Sequence, residues 1–166
     1  MRGEIDQLLF LIDTAYDHIS WHGTNLRGSL RGVTPRQAAW RPGPRRHNVW
    51  EIVVHAAYWK YVAWRRLTGA KRGSFAEVGS NWFTRPEDTS LDAWKADVAM
   101  LGEMHRTLRS VVAALDVRTL ERPLTRASRT TTQALVTGIA AHDLYHAGQI
   151  QLLKRLNARI HRLNRS

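Results

Sequence analysis

The chain has no cysteine in its 166 residues, which removes disulfides, thiolate metal sites, a Cys-His catalytic pair and any protein-borne redox couple. Acidic residues are in short supply, 14 against 25 Lys and Arg. Long apolar runs are missing near the start: Leu8-Leu-Phe-Leu-Ile12 spans five residues between Asp6 and Asp13, too short for a membrane span and too acidic at its edges for a signal peptide. There is no internal repeat, no low-complexity tract and no strand pattern. A Gly-x-Ser-x-Gly elbow is absent, and Gly69-Ala-Lys-Arg-Gly73-Ser lacks the P-loop spacing. These absences leave one domain over residues 1–166, expected to be soluble, cytoplasmic and free of membrane.

The acid deficit gives a formal net charge of +11, most of it arginine. Local clusters stand at Arg45-Arg46, Arg65-Arg66, Lys71-Arg72 and along the tail from Lys154 to Arg165, with a basic end from about residue 157. A nucleic-acid binder gathers such charge on one face or helix, so the scatter favours a solvated surface. A nucleic-acid partner is the second reading, with the tail as its place.

What the chain does have is helical periodicity. A first helix is expected from Gly3 to Arg31, because Ile5, Leu8, Ile12, Tyr16, Ile19, Leu26 and Leu30 keep a stripe. Thr34-Pro-Arg-Gln37 reads as a capping box opening a short extra helix, and Pro42-Gly-Pro44 is a rigid connector. The second long helix starts at Asn48, with Glu51 as reciprocal cap, and stops at Gly69. Residues 70–89 show no period and carry Phe75, Trp82 and Phe83, a loop that serves as a lid or tucks onto the bundle. A third helix from Ser90 has Leu91, Trp94, Val98, Leu101, His105, Leu108, Val112 and Leu115 in strict three-four alternation. Thr131 or Thr132 caps the fourth. The expectation is an all-α four-helix bundle with a short extra helix and a long loop between helices two and three.

The fourth stripe runs Leu135, Ile139, His142, His146, Gln149, Leu153, Leu156. Three of those positions are polar, and an unpartnered imidazole in an apolar interior costs about 1–3 kcal/mol. Histidines four apart carry Cβ atoms about 5–6 Å from each other and can converge on one ion at about 2.0–2.1 Å per bond. The pair carries weight only with burial and a third ligand. His55, between Ile52 and Trp59 on the second helix's stripe, is that third ligand. His18 and His22 are a rival pair, in which His22 is expected at a pocket edge and His18 exposed. His105 is either a pocket group or a hydrogen-bonded core histidine. Glu51, one turn before His55, orients its ring or remains a cap; Gln149 positions a water or substrate or bonds across the bundle; Trp59 borders the pocket. Asp143 is expected to pair with an arginine on an adjacent helix.

Several of these residues resemble the DinB and YfiT-like metalloprotein superfamily: Trp21-His-Gly23, Trp40-Arg-Pro42, Asn48-Val-Trp-Glu-Ile-Val-Val-His55-Ala-Ala-Tyr-Trp59, Trp82, and Gly138-Ile-Ala-Ala-His142-Asp-Leu-Tyr-His146-Ala-Gly-Gln149-Ile. The resemblance implies an up-down-down-up bundle, a divalent metal on three histidines mapping onto His55, His142 and His146, and frequent homodimers. Characterised relatives include thiol S-transferases and isomerases that use bacillithiol or mycothiol, and many members are described as metal-dependent hydrolases.

Three neutral imidazoles leave open coordination positions, the arrangement of a catalytic site. Water there has its pKa lowered to about 7, and a small thiol is deprotonated outright. The leading expectation is therefore an enzyme acting on a small electrophilic substrate by thiol transfer or hydrolysis, with a low-molecular-weight thiol as its cosubstrate in the first case. Imidazole suits zinc, nickel, copper and iron alike; zinc or nickel is expected first, iron or manganese next. A structural metal closed by His105 or His22 would instead make the chain an interaction module.

Overall fold

The computed structural model describes residues 3–163, with side chains described as far as residue 160. Its described elements are helices α1 (Glu4–Tyr16), α2 (Leu26–Ser29), α3 (Pro35–Ala39), α4 (Val49–Thr68), α5 (Leu91–Ala113) and α6 (Thr132–Leu163), with one 3₁₀ turn at Val117–Thr119. No strand is formed among the described residues beyond an isolated bridge between Pro123 and Thr131. The protein is an all-α bundle of four long helices, α1, α4, α5 and α6. Both α1 and α4 pack on α5 and α6, so α1 lies diagonally across from α4.

The helix starts follow local chemistry. Thr34 and Asn48 each close a full capping box, with Gln37 and Glu51 as reciprocal partners. The Ser90 side chain accepts from Ala93 N–H at the start of α5, and Thr131 Oγ1 accepts from Ala134 N–H at the start of α6. Gly69 ends α4 at φ +73°, the left-handed cap that glycine adopts without penalty.

The first helix is shorter than its apolar spacing suggested. It stops at Tyr16 instead of Arg31, and Ile19 and Trp21 are fully exposed. The break lies in residues 17–25, where side chains offer the backbone other partners. Ser20 donates to Gly23 O, Asn25 donates to His18 O, and Asn25 Oδ1 caps α2 by accepting from Gly28 N–H. Gly23 at φ +95° completes the turn.

The core has two halves. Leu8, Ile12, Leu108, Val112, Val136 and Ile139 pack where α1, α5 and α6 meet, and Val53, Val54, Trp50, Trp94, Leu101 and Ile150 pack around α4. Residues Val49 through Ala57 are all buried, which makes α4 the most enclosed stretch of helix. The loop of residues 70–89 folds back onto it: Phe75 and Phe83 lie 5.3 and 5.5 Å from the Tyr58 ring. Arg85 pins the loop through Glu77, Glu87 and Asp97. Its carbonyl accepts from Asn48 Nδ2 at 2.8 Å.

Candidate metal centre

Helix α4 brings His55, and α6 brings His142 and His146, to one point. Among the described residues this is the group able to hold an ion, with one ligand atom from each lying within 4.8 Å of the others. Burial is the reason the three rings stay uncharged. It lowers the His55 pKa to about 4 and that of His142 to about 3, and the neighbouring histidines push in the same direction. Burial also lowers His146. All three imidazoles are thus neutral at pH 7, the form that ligates a metal.

Hydrogen bonds then decide which nitrogen faces inward. His55 Nδ1–H donates to the Asn81 carbonyl at 2.7 Å, and His146 Nδ1–H donates to Gln149 Oε1 at 2.7 Å, both tautomers being assigned from their acceptors. The Nε2 atoms of His55 and His146 are therefore bare lone pairs, and His142 Nε2 stands 3.1 Å from each. His142 can point one proton at one neighbour. At least one contact then has no proton to bridge it, and a cation between the nitrogens would satisfy both. Two ligands about 2.0–2.1 Å from one ion and 3.1 Å apart subtend roughly 98°, between octahedral and tetrahedral values. The donor set fits a divalent ion.

The surroundings hold the rings in place. Trp82 stacks on His55 at 3.8 Å, and His47 stacks on Trp82 at 3.6 Å. Two parallel rings that close to one indole must lie on its opposite faces, so Trp82 is wedged between them. Asn81, at φ +67°, turns the chain so that its carbonyl meets His55 while its Oδ1 accepts from Trp59 Nε1–H at 3.0 Å. Gln149 Nε2 donates to the Tyr145 hydroxyl at 3.0 Å, which fixes the amide that receives His146.

The remaining candidates fall in different places. Gln149 touches a cluster histidine directly. Trp59 lies 6.3 Å from the His55 ring and serves the loop through Asn81. Glu51 does not reach His55: its carboxylate takes both Arg41 nitrogens at 2.8 and 2.5 Å and bonds His47 Nδ1 at 3.0 Å. It acts on the cluster only by anchoring His47 beneath Trp82. His105 is buried on α5 outside the cluster, stacked on Tyr16 at 3.8 Å, with its Nδ1 unpartnered. His22 is exposed in the break after α1, and His18 bonds Asp17, so that pair forms no site among the described residues.

Asp143 pairs with a lysine, not the arginine expected. Lys60 Nζ meets Asp143 Oδ2 at 2.5 Å with both side chains at most 1% exposed. Lys60 sits on α4 in the stripe Val53, Ala56, Lys60, Ala63, all buried. That stripe of small apolar residues around one lysine was the readable sign. Asn81 and His47 were also unforeseen, since a backbone carbonyl and a stacked ring in aperiodic segments leave no pattern.

A cavity of about 520 Å³ opens beside His146, Gln149 and Trp82. The family model described as the DinB superfamily matches residues 18–150. Comparison with curated proteins and with solved structures gives no match.

Proposed function

The chain belongs to the DinB superfamily, and on that premise we propose a metal-dependent enzyme in which His55, His142 and His146 hold a divalent ion, zinc or nickel before iron or manganese. The proposed reaction is transfer of a low-molecular-weight thiol to a small electrophilic substrate, or its hydrolysis. One observation carries the reading: three neutral imidazoles aim Nε2 at a shared point while hydrogen bonds occupy the Nδ1 atoms of His55 and His146. Three protein ligands without a fourth are the donor set of a catalytic site, not a closed structural one. A divalent ion there supplies the Lewis acidity that activates a water or a thiol near neutral pH.

The chain's own residues do the positioning. Trp82 and Asn81 close the α4 side of His55, and Gln149 holds His146 against α6. The cavity beside His146 admits the substrate. Elemental analysis of the purified protein tests the reading: about one equivalent of metal in the wild type, and its loss in both His55→Ala and His142→Ala. Full occupancy in both variants overturns the assignment. A screen of thiols and water against electrophiles, with His146→Ala as control, then separates transfer from hydrolysis.

A further inference from the structure

The cavity beside His146 has a chemistry of its own. Its volume of about 520 Å³ is that of a small-molecule site. One wall is apolar, formed by Leu152, Leu153 and Leu156 on α6, with Leu152 57% and Leu156 37% exposed. Trp82, His146, Arg45 and Arg46 line it as well.

The two arginines contrast with those that carboxylates fix in place. Arg41 is held by Glu51, Arg85 by Glu77, Glu87 and Asp97, Arg109 by Asp13, and Arg118 by Asp116. Among the described residues neither Arg45 nor Arg46 has an ion pair, and no carboxylate lines the cavity. The nearby Glu51 is already committed to Arg41 and His47.

The segment bearing them is fixed. Arg46 N–H donates to Gly43 O, and Arg46 O accepts from Arg41 Nη1 at 2.7 Å. Arg45 holds φ +58°, a region that residues other than glycine seldom adopt. Such backbone is retained where the surroundings impose it, often at binding sites. Free guanidinium forks beside an apolar wall match an anionic group on an apolar body.

We infer that this cavity takes an amphipathic small-molecule anion, its acidic group on Arg45 and Arg46 and its apolar body along Leu152, Leu156 and Trp82. As a statement about the substrate, this rests on the metal-centre reading; as a statement about binding, it does not. The probes are hexane-1-sulfonate, whose headgroup is a weak metal ligand, and hexan-1-ol, titrated by calorimetry and tryptophan fluorescence. The sulfonate binds the wild type at least tenfold tighter than the alcohol. The double variant Arg45→Asn, Arg46→Gln abolishes that preference, asparagine being chosen because it tolerates positive φ. The double variant Arg65→Gln, Arg66→Gln keeps the preference, and Leu152→Glu weakens sulfonate binding at least tenfold.

Equal binding of the two probes to the wild type overturns the inference. So does an equal loss in the Arg65, Arg66 variant, which would assign the effect to overall charge. The same titrations on the His55→Ala, His142→Ala double variant separate the two readings. Sulfonate preference there, with no metal bound to any form, leaves the cavity standing and removes the metal centre. Loss of the preference in a double variant whose helical content is unchanged assigns the sulfonate to the metal and overturns the cavity.

Discussion

His105 is the buried histidine that the cluster leaves out, and its surroundings give it a definite pH behaviour. Tyr16 and Asp13 of α1, Lys60 of α4 and Arg109 of its own helix face it. Burial, then the Lys60 and Arg109 charges, lowers its pKa to about 3. In the unfolded chain the value returns to about 6.5. Between those limits the unfolded state binds the proton and the folded state does not, so stability falls as pH falls from about 6.5 toward 3. Above about 6.5 this group contributes no pH dependence. Its slope is up to about 1.4 kcal/mol per pH unit. Urea titrations from pH 7.5 to 5 on the metal-free protein are expected to show a shallower loss for His105→Gln than for the wild type.

At the scale of elements, the contact between α4 and α6 carries both the histidine cluster and the Lys60–Asp143 pair. Removing one member of a buried ion pair leaves a lone charge and costs about 3–5 kcal/mol, whereas replacing both with apolar groups is often neutral. Lys60→Met is therefore expected to lower unfolding stability by that amount, and Lys60→Met with Asp143→Leu to recover most of it, as read by chemical denaturation.

These elements were not equally legible. The stripes of α4 and α5 and the capping boxes of α3 and α4 announce themselves, because a period near 3.6 and a cap three residues from its partner are local. The stripe through His142 and His146 placed the cluster for the same reason. The end of α1 was not legible: Ile19 keeps the spacing by coincidence, while Ser20 and Asn25 redirect the backbone. The stripe could mark Lys60 as buried but not name its partner, 83 residues away, and Asn81 was not legible at all, because it acts through a carbonyl every residue has.

For the whole molecule, the charge of +11 is unevenly neutralised. Arg85 and Arg41 are tied into the loop and the α4 cap, and the basic pair beside the cavity is left free. An ion bound only by the folded state adds about 2.7 kcal/mol when its free concentration is a hundred times its Kd. In a domain of 166 residues that raises Tm by roughly 5–10 °C. Calorimetry with chelator, and again after zinc or nickel is restored, is expected to show a shift of that size for the wild type and none for His142→Ala.

His142 and Asp143 are adjacent on α6, so their side chains leave the helix about 100° apart. One turns to His55 and the other to Lys60, both on α4. Helix α6 is thereby keyed to α4 like a shaft on its collar: rolling it to improve one contact spoils the other. The alignment of the histidines is thus set by the helix pair itself, and the connector before α6 can change in length without detuning it.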